Sequence, residues 1–196
     1  MLEWKSMYIS LAPPIFSGII NMIFIKSNIL KSWQKPIDGG RCLTDGRRIF
    51  GDNKTWRGMA GYVLINMLVS LAWGALAGRI NELEAENYLY VFRENTAGYN
   101  LLVGILFGLA YALFELPNSF LKRRLEIEPG KPGEGWKKPF FVFLDQADSV
   151  IGCALVVWLF YPLGWERFIT IILLGAGTHI LINMALYEMK LRKNRW

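Results

Sequence analysis

From Asn95 to Phe114 the chain reads NTAGYNLLVGILFGLAYALF, twenty residues without a charge, and the next residue is Glu115. About 20 mostly apolar residues is the length a helix needs to cross the hydrocarbon core of a bilayer. Four more uncharged runs share the chain: Met7–Ile25, Met59–Gly78, Ser149–Trp165 and Phe168–Tyr187. A soluble core can contain one such run. Five of them in 196 residues, 53% hydrophobic with a mean hydropathy of +0.27, leave too little polar surface to cover them. The sequence therefore reads as an all-α integral membrane protein with about five transmembrane helices, near 7–27, 59–79, 95–116, 145–163 and 168–187. They form a single membrane-embedded domain over 1–196, with long loops near 28–58 and 118–144. The first run is longer than a secretory h-region and no small-residue cleavage site follows it. Its Pro13-Pro14 pair predicts a kinked or broken span.

Charge placement orients these spans. Of the 22 basic residues, seventeen lie in the two long loops and the C-terminal tail: seven from Lys31 to Arg57, six from Lys122 to Lys138, and Lys190, Arg192, Lys193 and Arg195. The other side carries Lys5, Arg79, Arg93 and Arg167, with Lys26 at the end of the first span, and the segment Asn81–Glu94 has four glutamates. The positive-inside rule then predicts an outside N-terminus, cytoplasmic long loops and a cytoplasmic C-terminus. The net charge of +6 reads as orientation and attraction to anionic headgroups, with no nucleic-acid partner. Cys42 and Cys153, one in a basic loop and one in a span, make no disulfide framework.

Three polar groupings break the apolar pattern. In Ile49–Gly58, residues Asp52, Asn53 and Thr55 are candidate caps for the second helix. In the same stretch the glycines, free amides, Lys54 and Arg57 suit a triphosphate, the other reading of that basic charge being membrane-surface anchoring. In the second grouping, Glu115, Ser119, Lys122 and Arg123 share one face if the segment is helical. A carboxylate at membrane depth usually lines a wet cavity or binds a cation. In the third, Asp145 and Asp148 sit at i, i+3 within an otherwise apolar segment. Each would cost roughly 2.5–3.5 kcal/mol at the bilayer centre, so both are expected to face compensating charge. Two readings stand for the pair: Mg²⁺, which takes one or two carboxylates plus substrate phosphate oxygens, or a capping pair bridged to Lys122 or Arg123. His179 and Asn183, in the fifth span, are expected to form interhelical hydrogen bonds and are left outside the site.

The order Glu115…Ser119-x-x-Lys122-Arg123, then Pro129-Gly130, then Asp145-x-x-Asp148-Ser149 resembles the signature of phosphatidate cytidylyltransferases. The runs Phe50–Gly58 and Pro117–Arg124 are more similar to one branch, the CDP-archaeol synthases, and the resemblance covers nearly the whole chain. It implies a Mg²⁺-dependent nucleotidyltransferase of the cell membrane, its active site facing the cytoplasm. The enzyme would couple CTP to an ether lipid phosphate, giving a CDP-lipid and pyrophosphate. On this reading Asp145 and Asp148 bind Mg²⁺ with Glu115 as a further ligand, while Lys54, Arg57, Lys122 and Arg123 hold phosphates. Asp52, Asn53 and Ser119 contact nucleotide or phosphate. Gln146 stands where many phosphatidate enzymes have Arg, and the Gly130–Phe140 loop carries Lys131, Glu134, Lys137 and Lys138, which favours the archaeol branch over CDP-diacylglycerol formation.

Other classes fit less well. A CDP-alcohol phosphotransferase needs D-G-x-x-A-R, and neither Asp38-Gly39 nor Asp45-Gly46 continues that way. A transporter usually shows an internal repeat, and none is evident. A structural adaptor using basic loops has no need of Glu115, Asp145 and Asp148 at the bilayer edge.

Overall fold

The computed structural model describes residues 3–190, so the basic tail at Arg192, Lys193 and Arg195 lies outside the described residues. Five long helices are each long and apolar enough to cross a membrane: α1 (Trp4–Lys26), α2 (Trp56–Ala77), α4 (Ala97–Arg124), α5 (Lys137–Phe160) and α6 (Gly164–Glu188). The short α3 (Asn81–Ala85) lies between α2 and α4, and a single 3-10 turn at Lys31–Trp33 follows α1. Among the described residues there is no strand, only isolated bridges Pro36–Thr55 and Cys42–Arg48 in the first long connection. Both cysteines are free.

Two boundaries differ from the sequence reading. α4 continues through Pro117 to Arg124, and α5 begins at Lys137, so the connection expected over 118–144 shrinks to residues 125–136. The polar residues at these helix ends are not loop residues. They extend the helices beyond the apolar runs, and on α4 Asn118, Ser119, Lys122 and Arg123 turn inward. α1 likewise runs unbroken across Pro13 and Pro14, both of them buried.

α4 is the centre of the bundle, with α2 packed closely on one side and α5 on the other; α1 lies on α2, and α6 on α5. Absent side chains set the α2–α4 approach. A Cβ at Gly104 would lie 2.7 Å from the Asn66 carbonyl oxygen and the Met67 Cα, and one at Gly108 would fall on the Val63 backbone. This is small-xxx-small packing, by which membrane helices associate without a hydrophobic driving force between them. Leu68, Leu159 and Leu181 point outward along the bundle as a lipid-facing surface. Exposed Trp33, Trp56 and Trp136 stand at one end and Trp4 and Trp165 at the other, as expected of interfacial aromatic belts.

The end bearing α3 is closed. Met7, Leu11, Tyr88, Leu89, Phe107, Val157 and Leu163 form a buried cluster there. The Tyr88 amide donates to Ser10 Oγ at 2.9 Å and the Tyr99 hydroxyl to the Leu89 carbonyl at 2.7 Å, drawing the loop inward. The opposite end, where the basic connections lie, is open.

Arg57, expected to hold phosphate, is engaged within the protein: its side chain lies buried, 2% exposed, against the end of α1. Its guanidinium donates to the carbonyls of Phe24, Ile25, Ser27 and Ile29 at 2.8–3.1 Å and sits over the Phe24 ring. These are the carbonyls a helix leaves without partners at its C-terminus, and a cation there also complements the helix dipole. Arg57→Ala is therefore expected to lower the thermal midpoint in detergent, since each buried acceptor left unpaired costs about 1–3 kcal/mol. The fraction that stays folded should bind substrates normally. An unchanged midpoint with weakened substrate binding would return Arg57 to the site.

Candidate active site

At the open end a cavity of about 360 Å³ lies among α1, α4, α5, α6 and the first connection. It gathers most of the residues singled out from the sequence. The helical face expected of α4 is present: Glu115, Ser119, Lys122 and Arg123 all line the cavity, as do Asp145 and Asp148 of α5. Asn53 and Lys54 reach it from the first connection, and Ile15, Ile19, Met22 and Ile182 form an apolar wall on its membrane side.

Charge inside the cavity is matched pair by pair. Lys122 Nζ lies 2.6 Å from both carboxylate oxygens of Asp145. Lys54 is ion-paired with Glu115, which also accepts from the Tyr62 hydroxyl at 3.4 Å. Burial disfavours the Lys54 ammonium, but the Glu115 carboxylate beside it and the more distant Asp148 and Asp145 outweigh that, raising its pKa above the ordinary lysine value. Asp148 has no cation of its own and is held by neutral donors, the Asn118 amide at 2.7 Å and the Ser149 N–H at 2.6 Å. The same Asn118 amide donates to Asp145 at 2.8 Å, so one side chain spans both aspartates. Arg123 is the exception. It is 7% exposed, and its Nε and Nη1 have no partner among the described residues.

Two of the expected ligands, Asp52 and Glu115, are engaged by partners within the protein. Asp52, its side chain 72% exposed, pairs with Arg48 and lines an adjoining cavity of about 330 Å³ rather than the one holding the aspartates. Of the three candidate caps it is Thr55 that caps α2, accepting from the Gly58 N–H at 3.1 Å, so that amide is not free for an anion. Glu115 is engaged with Lys54, and among the described residues no three His, Cys, Asp or Glu side chains gather as a ready-made metal cage. The two aspartates nevertheless suit a divalent cation that arrives with phosphate. Asn118 Oδ1 is buried beside them with no partner among the described residues, one more oxygen of the type such a cation takes.

Some site residues were not anticipated. Asn118 lies three residues after Glu115 and four before Lys122, so the face argument that found its neighbours includes it. His179 and Asn183 form the expected interhelical bonds, to the Tyr111 hydroxyl at 2.8 Å and to Gln146 at 2.6 Å, and also line the cavity. Nothing in the local sequence marks Tyr62 or Tyr111, whose rings stack at 4.2 Å beneath Glu115.

Comparison with known proteins shows the family. The chain is 34% identical over 170 residues to the CDP-archaeol synthase of Methanoculleus marisnigri, covering 82% of this chain and 89% of that one. It is 32% identical over 161 residues to that of Methanocaldococcus jannaschii, covering 82% and 83%. A solved structure described as an intramembrane enzyme for archaeal membrane lipid biosynthesis shares the fold, with a TM-score of 0.60 at 23% identity over 92% of this chain and 91% of that one. The model of the CarS-like CDP-archaeol synthase family matches residues 15–196, and the chain belongs to that family.

Proposed function

We propose that this protein transfers a cytidylyl group from CTP to a membrane lipid phosphate carrying ether-linked isoprenoid chains, giving a CDP-archaeol-type lipid and pyrophosphate. The observation that carries the reading is the Arg123 guanidinium, whose buried Nε and Nη1 have no partner among the described residues, and which shares one cavity with Lys54, Lys122 and a pair of bridged aspartates. An unpaired buried cation is costly to maintain and fits a site completed by an anionic ligand. The apolar wall of Ile15, Ile19, Met22 and Ile182 on the membrane side suits the tails of a lipid acceptor. The names of the relatives supply the product class.

In this reaction a phosphate oxygen of the lipid bonds to the α-phosphorus of CTP, and the bond from that phosphorus to the pyrophosphate oxygen breaks. Positioning and charge neutralisation carry such a step. Arg123, Lys122 and Lys54 hold the nucleotide phosphates, the two lysines exchanging their carboxylate partners for phosphate oxygens. Asn53 and Ser119 supply neutral hydrogen bonds, and Asn118 keeps Asp145 and Asp148 side by side. These two aspartates, with Glu115 across from them on α4, would hold Mg²⁺, which when bound would neutralise phosphate charge. The open, basic end faces the cytoplasm, where CTP is dissolved, with the N-terminus outside.

Pyrophosphate release from purified protein, measured with CTP and a panel of lipid phosphates, tests the reading. Turnover should be highest with isoprenoid ether lipids, and no CTP-dependent release from any lipid phosphate would refute it. In the same assay Asp148→Asn should lose nearly all turnover at an unchanged thermal midpoint, any residual activity requiring more Mg²⁺; Asp145→Asn should lose turnover as fully but at a lowered midpoint, because it also breaks the pair with Lys122. A destabilised variant with near-normal specific activity would remove the metal role.

Arg123→Gln should raise the KM for CTP about 10–100-fold, the worth of a charged hydrogen-bonding group. It should also leave stability equal or higher, because it discharges an unpaired buried group. Normal CTP kinetics would exclude Arg123 from nucleotide binding. For orientation, a reporter fused after Trp196 should lie in the cytoplasm and a tag before Met1 outside; finding both on one side would overturn the proposed topology.

A further inference from the structure

Asp38 begins an Asp-Gly pair that completes no known motif, and it lines neither cavity. Yet its side chain is 0% exposed, and its carboxylate is a hub of the first connection. It accepts from Arg48 Nη2 at 2.6 Å and Nε at 3.3 Å, and from the backbone N–H groups of Gly40, Phe50 and Gly51 at 3.0 Å each. Gly39 and Gly40, at φ +58° and +82°, let the chain turn tightly around it. Burial alone would raise the Asp38 pKa, but the Arg48 guanidinium and the three amides prevail and hold it well below the usual carboxylate range.

The two amides fixed by this carboxylate at Phe50 and Gly51 lie just ahead of the residues that enter the cavity. The Lys54 N–H donates back to the Gly51 carbonyl at 3.4 Å, and the Ile37 N–H, next to Asp38, donates to the Lys54 carbonyl at 2.8 Å. Gly51, at φ +99°, lies against Arg123, since a Cβ there would come within 3.0 Å of Arg123 Nη1. One turn thus carries Asn53 and Lys54 into the cavity and sets the backbone against the unpartnered arginine. Asp38 anchors the start of this turn, and the Pro36–Thr55 bridge holds its end.

We infer that Asp38 is a positioning residue for the nucleotide phosphates, fixing the 50–54 turn so that Lys54, Asn53 and Arg123 converge on one anion. The inference rests on the CTP reading of the cavity. It assigns Asp38 to the nucleotide side alone, because its contacts run to the first connection and none to the apolar wall that faces the lipid. Misplacing a phosphate-binding group by a fraction of an ångström has a large kinetic effect even when the change lies away from the chemistry.

The test uses the purified full-length protein in detergent. Asp38→Asn keeps the shape and one acceptor oxygen but loses the charge that holds Arg48. The KM for CTP should rise about 10–100-fold while the KM for the lipid phosphate stays as in the wild type, and the nucleotide-free thermal midpoint should fall modestly because the buried partner of Arg48 is lost. The rise in midpoint that CTP induces in the wild type should shrink at the same CTP concentration, which reports binding without turnover. Arg48→Gln, which spares the three backbone bonds, should give a smaller rise in the same KM. An unchanged KM for CTP in Asp38→Asn overturns the inference, as does a lowered midpoint with both KM values raised together. If Asp38→Asn does not fold, Arg48→Gln decides: a selective rise in the KM for CTP supports the inference, and an unchanged value overturns it. Wild-type protein that turns over no CTP would overturn both the functional reading and the inference, an outcome visible before any variant is compared.

Discussion

Ionised side chains at the edge of a hydrocarbon layer need partners, and the open end of this bundle is arranged around that need. Lys54 meets Glu115, Lys122 meets Asp145, and Asp148 rests on the Asn118 amide and the Ser149 N–H. For the contacts of Lys122 with Asp145 and of Asn118 with Asp148 to form, residues one turn apart on α4 must stand opposite residues one turn apart on α5. That fixes the register of the two helices and requires both to continue past their apolar runs. The distance between them is fixed elsewhere, at Gly152, where a Cβ would lie 2.7 Å from the Ala110 carbonyl oxygen. Polar matching sets the register and small residues set the separation. Together they place the aspartates.

Much of this was legible from residue spacing. Five uncharged runs of membrane length gave the five helices, and the 3.6-residue period put Glu115, Ser119, Lys122 and Arg123 on one face. Asp145 and Asp148 stood out because isolated carboxylates do not persist in apolar segments without a reason. What escaped has a common physical cause. Polarity at 118–124 read as loop, since sequence alone does not distinguish a polar helix end facing water from one facing an internal cavity. Arg57 sits in a glycine-containing basic stretch, the composition of a phosphate loop, but its acceptors are backbone carbonyls near residue 27, which carry no side-chain signal. Asn118 was passed over because it bears no charge, although its amide holds both aspartates.

The proposed chemistry also accounts for the one charge left over. Among the cavity residues, three cations face three carboxylates, yet the pairing is incomplete: Asp148 is held by neutral donors and Arg123 by none among the described residues. An incoming polyanion meets Arg123 without first displacing a protein carboxylate, whereas Lys54 and Lys122 must exchange partners. On this reading the ligand-free site is close to neutral, so it can exist at the membrane edge, and becomes a strong anion receptor as its internal pairs are exchanged. The family to which the chain belongs supplies the identity of the anion; the cavity supplies a reason for it to bind there.

The closed end of the bundle has a consequence of another kind. Tyr88 and Leu89 fold in among Met7, Leu11, Phe107 and Val157, so the water-accessible cavity ends partway through the protein. A cell that stores energy as an ion gradient can tolerate a polar hollow in its membrane only if the hollow is blind. Here a dry layer of packed side chains keeps the electrical insulation of the bilayer intact, while highly charged molecules are handled a few helical turns below it.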